Sequence, residues 1–287
     1  LMNKLQHSKM LMRIWWSFWG GNYSTFYKIN ITLMQKLYKY YSVNNFSIAS
    51  LTNGYCWFSD SNSFNDPFDT KIIQCDLLQE VNFSKEKILC LSAINDNLLM
   101  WSHYTNSHRG FCIEFSDYSD LELKKLKSSG LYPNEDNNKL SIIRNAKAVE
   151  YKTFEEIDDY IIDIPTCNED FLKLYSSLNE NKKLELVKKI QKASFIKHKD
   201  WSYEEEYRLI NTKRNLIRFP GKITGVYFGM NMSSIDKRMI GIILDPNFSN
   251  GIKFYQMYRP LNFYSLKYRQ FDIKGDLPGF GDALKLE

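Results

Sequence analysis

The chain has 287 residues, 44% hydrophobic, 15% aromatic and 25% charged, a composition that supports a packed core and excludes a disordered or low-complexity chain. The net charge of +5 is concentrated at the start. Residues 1–33 carry Lys4, Lys9, Arg13 and Lys28 and no acid, leaving 34 basic against 33 acidic residues elsewhere. So near-neutral a body lacks the electrostatic footprint of a nucleic-acid-binding domain.

The first 33 residues include Trp15, Trp16, Phe18 and Trp19. The apolar segment through Trp19 is too short for a membrane span, and Arg13 interrupts it as a signal peptide. They read as an extension ahead of an expected start at Met34, with a single domain over 34–287. Five scattered cysteines (Cys56, Cys75, Cys90, Cys112, Cys167), odd in number and without a C-x-x-C pair, read as free thiols in a reducing cytoplasm, and no metal site is expected.

Leu37–Tyr41 reads as a first strand. Asn45 caps a short helix over 46–53, and Gly54 ends it in a left-handed conformation. Tyr55–Ser59 is a second strand, followed by a turn-rich loop, Ser63–Asp69, whose aromatics are expected to pack on the body. Ile88–Ser92 is a nearly continuous apolar run and hence a central strand. Asn95 or Asp96 then caps a helix through Leu98, Met100, Trp101, His103 and Tyr104, and Phe111–Phe115 is the next strand. Residues 117–143 read as a polar loop, and Arg144–Tyr151 as a strand. From Asn168 to about Lys197 the apolar spacing is helical, with a break at 179–181, so a helical insertion is expected near 168–198. Ile223–Phe228 is a strand, Ser233 with Asp236 opens a helix through Ile243, and Ile252–Tyr258 with Tyr264–Phe271 form an edge pair. Helices and strands mix without βαβ regularity. The expected fold is α+β, a mixed, mainly antiparallel sheet with flanking helices and that insertion.

The stretch from His198 to Ile210 carries the most chemistry. Read as a strand entered from a helix, it puts Glu204, Glu206, Arg208 and Ile210 on one face. Two carboxylates and a guanidinium on an otherwise apolar strand either pair internally or line a polar cleft. As a site, Glu206 and Glu204 are candidate catalytic carboxylates, with Arg208 holding or orienting one of them. The alternative is an ion-pair ladder on a half-exposed sheet. Residues 96, 100, 103 and 107 share one face of the Trp101 helix, and 101, 104 and 108 the adjacent one. His103 is a candidate proton donor, with Trp101, Tyr104, His108 and Arg109 as substrate contacts. Asp66 and Asp69 are further candidates, although Asn-Asp-Pro is also ordinary turn chemistry.

Several pieces in this order resemble a known family: Leu37-Tyr38-Lys39-Tyr40; Trp57-Phe58-Ser59 with Phe64-Asn65-Asp66-Pro67-Phe68-Asp69; Met100 to Tyr104 with His108 to Ile113; Trp201 to Arg208; and Val226 to Gly229. Together they are similar to the microbial domain-of-unknown-function family numbered 2971, over roughly residues 34–260. The resemblance implies no activity. Its members more often carry Arg where this chain has Tyr41, so a site served by that arginine is either altered here or does without it.

Glu-x-Glu before apolar strand residues also resembles the glutamate motif of ADP-ribosyltransferases, in which a glutamate grips a ribose hydroxyl as nicotinamide leaves. The functional expectation is an enzyme acting on a nucleotide-like small molecule, with NAD as a possible substrate. The alternatives are a non-catalytic binding or accessory module of a microbial defence or toxin system, and a magnesium-dependent nuclease using Asp66, Asp69 and the glutamates.

Overall fold

The computed structural model describes residues 36–276 apart from 82–85, 130–139, 212–213, 246–250 and 274. The expected extension and the start at Met34 lie outside these residues. Strand β1 (Lys36–Tyr41) leads into α1 (Asn45–Asn53), β2 (Tyr55–Trp57) and β3 (Ser59–Asp60). Next come α2 (Asp76–Val81), β4 (Lys87–Ser92), α3 (Leu98–Tyr104), β5 (Phe111–Ser116) and α4 (Asp120–Ser128). β6 (Lys147–Ala148) and β7 (Glu150–Lys152) precede α5 (Phe154–Ile161), α6 (Asn168–Ser177) and α7 (Glu180–Ala193). β8 (Ile196–His198) runs into a 3₁₀ turn, Lys199–Glu204, and then β9 (Glu206–Asn211). The chain closes with β10 (Leu216–Arg218), β11 (Lys222–Phe228), α8 (Ser234–Leu244), β12 (Lys253–Tyr258) and β13 (Lys267–Gln270).

The main sheet runs β13-β12-β11-β5-β1-β4-β9-β6, with β3 also on β4, and β11–β12 is its parallel pair. The fold is α+β with a mixed, mostly antiparallel sheet. One face carries Leu37, Leu89, Leu91, Ile113, Leu209, Val226 and Phe228, which share a core with Leu51 of α1 and Ile240 of α8. A second core joins Ile73 and Leu78 to Phe171, Val187 and Ile190 of the helical segment. The opposite face of the sheet is polar and aromatic. Across it, Glu114, Tyr38, Ser92 and Glu206 stand in register on β5, β1, β4 and β9.

Several expectations are corrected. The 117–143 stretch contains α4, because Ser119 and Glu122 close a capping box. Arg144–Tyr151 is not one strand: a 3₁₀ turn over Ile142–Asn145 precedes β6, and the chain changes partner from β9 to β8 between β6 and β7. Tyr55–Ser59 breaks at Phe58 because β2 pairs with β10 and β3 with β4. The caps of α1 and α3 are Asn44 and Asn97, each one residue or more from the expected position. α3 stops at Tyr104, so 107 and 108 lie on the following turn rather than on its faces. Phe68 is 74% exposed, because Asp66 and Asp69 fold the turn around their own backbone and leave its ring outside. Tyr41 stacks on Phe111 at 5.2 Å and packs against the apolar core.

Two glycines fix how α3 returns to the sheet. A Cβ on Gly110 would collide with the Tyr41 carbonyl oxygen, and one on Gly229 with that of His108. Gly54 needs only its left-handed φ of 69°, with open space where a Cβ would go. Gly54→Ala is therefore expected to cost about 1 kcal/mol. Gly110→Ala, which meets backbone, is expected to cost at least about 2–3 kcal/mol. Urea unfolding of the two variants checks the order; equal losses would contradict it.

Candidate functional site

Glu206 and Arg208 stand two residues apart on β9 and so share a face, as their spacing predicts. Glu204 does not share their strand. Glu205 adopts φ 41°, its carbonyl accepts from the Ala93 amide at 2.9 Å, and β9 starts only at Glu206. The Glu204 side chain is brought back by another element. Lys197 of β8 donates to Glu204 at 2.6 Å and to Glu206 at 3.4 Å, and lies 3.3 Å from Asp69.

Arg208 is fully enclosed, with 0% exposure. Its Nε donates to Glu206 Oε1 at 2.7 Å, and Nη2 donates to Glu206 Oε2 at 2.9 Å and to Asp69 Oδ2 at 2.7 Å. Nη1 donates to the Ser194 carbonyl at the end of α7 at 2.7 Å. Three buried carboxylates thus face two buried cations. This is a closed lattice rather than a ladder on a half-exposed sheet. A fourth carboxylate, Glu86, accepts from Ser194 Oγ at 2.6 Å behind it.

Burial alone would raise the Glu206 carboxyl. The Arg208 guanidinium, its hydrogen bonds and Lys197 outweigh burial and hold the group below the usual carboxylate range. Burial also dominates at Glu204, and there Lys197 does not overcome it together with the repulsion of Glu206, so the carboxyl is raised. Glu86, with only Ser194 and the more distant Arg208 against burial, is pushed up to about 7. Lys197 would be lowered by burial but is raised by Glu206, Asp69 and Glu204. Glu204 therefore differs in kind from Glu206. Its other oxygen accepts from the hydroxyl of Tyr104, a half-buried residue at the end of α3.

The structure brings Asp69, Glu204, Glu206, Arg208 and Tyr104 together. Asp69 Oδ1 and the neighbouring Thr70 Oγ1 are buried without a hydrogen-bond partner among the described residues, and Thr70 holds φ 61°. Asp66 stays out of the lattice, its Oδ1 accepting from the Phe68 amide at 2.9 Å in ordinary turn chemistry. Trp101 is a core residue, its indole N–H donating to the Asn95 carbonyl at 2.7 Å and its ring edge-on to Tyr40. His103 is exposed, 6.4 Å from the Tyr203 ring, which neighbours Trp201. His108 stacks on Trp101, its Nδ1 is buried without a partner among the described residues, and burial lowers its pKa. Arg109 is exposed. Asn106, Ser107 and His108 hold consecutive positive φ values of 50°, 56° and 64°. Such strain persists only where the surroundings impose it. Here the Asn231 amide and side chain bind the His108 and Ser107 carbonyls.

Sequence reasoning missed Lys197, Glu86 and Glu114. Glu114 was open to the same argument as Glu206, being a lone acid in an apolar strand. It is buried and accepts from Thr224 at 2.7 Å, Tyr227 at 2.9 Å and Tyr38 at 3.3 Å, with Lys36 3.0 Å away. A bulge at Thr224 on β11 turns that hydroxyl onto it. The five cysteines are free, with Cys56, Cys75 and Cys112 buried and Cys167 exposed. No group of three or more His, Cys, Asp or Glu side chains among the described residues is placed to hold a metal ion, and no described helix is long and apolar enough to cross a membrane.

Residues 100–209 are similar to the family described as "Protein of unknown function (DUF2971)". The match runs from α3 to β9, the two elements that meet through Tyr104 and Glu204. Comparison with curated proteins and with solved structures gives no match.

Replacing Lys197 by Met leaves three buried carboxylates on one guanidinium, and is expected to cost about 3–5 kcal/mol in urea unfolding at neutral pH. The pH dependences of the two glutamates oppose each other. Glu206, depressed in the fold, contributes fully above its ordinary value of 4.5, and that contribution is lost as pH falls below it. Glu86, raised, stabilises below 4.5 and loses that contribution as pH climbs toward about 7. Glu86→Gln should therefore gain on wild type by on the order of 2–3 kcal/mol between about pH 5 and about pH 8. A constant difference across that window would contradict the assignment.

Proposed function

We propose that the chain is a recognition module for a nucleotide-like small molecule, and that the charged lattice frames the site rather than performing chemistry. One observation carries this. Both oxygens of Glu206 are taken by a fully buried Arg208 at 2.7 and 2.9 Å, which leaves that carboxylate no face to offer a substrate. A group held below the usual carboxylate range is also a poor proton acceptor near neutrality.

The surface outside the lattice is suited to a flat ring and an anion. Tyr203, Trp201 and His103 are partly or fully exposed aromatic rings near Tyr104, and Arg109 is an exposed guanidinium after the strained turn. Aromatic faces favour a base, and a guanidinium favours a phosphate. His103 is exposed, whereas Tyr203 also packs against the Tyr40–Trp101 cluster, so the fold of any Tyr203 variant is checked by its thermal unfolding without ligand.

Glu204 favours a second reading, an enzyme that cleaves NAD or transfers ADP-ribose. Burial raises its carboxyl, which accepts from the hydroxyl of half-buried Tyr104, and a raised carboxyl is better suited than Glu206 to donate a proton. In that reading Glu204, not Glu206, takes the catalytic role.

The full chain is to be titrated with NAD, ADP-ribose and ATP by thermal unfolding, with nicotinamide release and label transfer followed in parallel. A bound nucleotide at a hundredfold excess over Kd adds about 2.7 kcal/mol and lifts Tm by about 5 °C or more. The expected outcome is such a rise in wild type, its loss in His103→Ala/Tyr203→Ala, and no nicotinamide release. Release that disappears in Glu204→Gln would replace the recognition reading with the enzymatic one. No nucleotide shift and no release would contradict both.

A further inference from the structure

The loop between β12 and β13 presents Leu261, Phe263 and Tyr264 at 90, 65 and 85% exposure, three large apolar or aromatic side chains within four residues. Their exposure belongs to an ordered turn. Asn262 takes φ 64°, the Phe263 amide donates to the Pro260 carbonyl at 3.3 Å, and Arg259 Nε donates to the Phe263 carbonyl at 3.2 Å. The Arg259 guanidinium lies over the Tyr264 ring at 5.6 Å. Leu266 roots the loop, buried in one cluster with Met257, Met100 and Trp101. An apolar tip on a fixed base is unusual on a soluble surface, where such groups mark an interaction site.

The charge around the tip has one sign. From residue 252 to 271 there are Lys253, Arg259, Lys267 and Arg269 and no acid. Lys267 and Arg269 lie on the edge strand β13, whose four residues are all exposed. Phe111 of β5 pairs with Phe228 of β11, and Gln256 of β12 with the same residue, which brings exposed Arg109 to the end of the sheet where the loop stands. Among the described residues, none of Arg109, Arg259, Lys267 and Arg269 is ion-paired with a carboxylate.

We propose that the 259–265 loop is an interfacial anchor that seats the protein on an anionic lipid surface. Leu261, Phe263 and Tyr264 enter the headgroup region, and Arg259, Lys267 and Arg269 face the lipid phosphates and carboxylates. A Leu and a Phe gain by leaving water, while Tyr and Arg have an apolar body and a polar end that suit the boundary. The aliphatic Leu261 at the most exposed point fits acyl chain better than it fits a nucleic-acid base, for which a stacking ring is needed.

The test is co-sedimentation of the full chain with vesicles of phosphatidylcholine alone and of phosphatidylcholine with phosphatidylserine. Two variants accompany it, Leu261→Ser/Phe263→Ser/Tyr264→Ser and Lys267→Gln/Arg269→Gln; both alter only exposed positions, and their folding is checked by thermal unfolding. Wild type is expected to sediment with the phosphatidylserine vesicles and stay in solution with the neutral ones. The apolar variant should lose binding, and the charge variant should bind about thirtyfold more weakly, from about 1 kcal/mol for each basic residue. Failure of wild type to bind phosphatidylserine vesicles would overturn the proposal. So would undiminished binding by the apolar variant, binding of a single-stranded oligonucleotide in place of vesicles, or a dimer in sedimentation velocity that the apolar variant abolishes.

Discussion

A guanidinium without exposure has to be compensated on every side, and the arrangement around Arg208 follows from that requirement. Taken from water alone, such a charge would cost several kcal/mol even after relaxation. Glu206 answers it from the same strand, Asp69 from the turn after β3, and the Ser194 carbonyl from the end of α7. Each partner comes from a different part of the chain. The side chain therefore works as a register pin, joining the sheet to the turn and to the helical segment.

Lys197 extends the same logic by one charge. It crosses from β8 to the excess carboxylates and lies 4.7 Å from the Trp201 ring centre. Two cations still do not balance the carboxylates around them. Burial raises Glu86 and Glu204, while the Arg208 guanidinium and Lys197 hold Glu206 below its ordinary range. Two glutamates two residues apart thus differ in proton affinity: burial and the repulsion of Glu206 prevail at Glu204, and the Arg208 guanidinium prevails at Glu206.

What the sequence disclosed was local. Alternation placed Glu206 and Arg208 on one face, Gly54 marked a left-handed helix end, and the Asn179 break divided α6 from α7. Glu204 was misplaced because one residue, Glu205, leaves the extended region and changes the phase of everything before it. Lys197 gave no signal: a single Lys in a three-residue strand reads as a surface residue until β8 is seen to aim it at Glu204 and Glu206. The helix in 117–143 was legible, since Ser119 and Glu122 have capping-box spacing, but the polar composition concealed it. The strain at 106–108 was not legible at all, because its cause is a contact with Asn231, far away in the chain.

The proposed recognition module divides into a buried frame and an accessible aromatic edge, and it requires Glu206 to be a structural carboxylate. A double-mutant cycle on Arg208→Met and Glu206→Leu, read by urea unfolding, tests it most directly. Each single change strands a buried charge and is expected to cost about 3–5 kcal/mol, while the pair, by removing both charges, should lose several kcal/mol less than the sum. Additive losses, or a Glu206→Leu protein as stable as wild type, would contradict the account and return Glu206 to the list of groups free to act on a substrate.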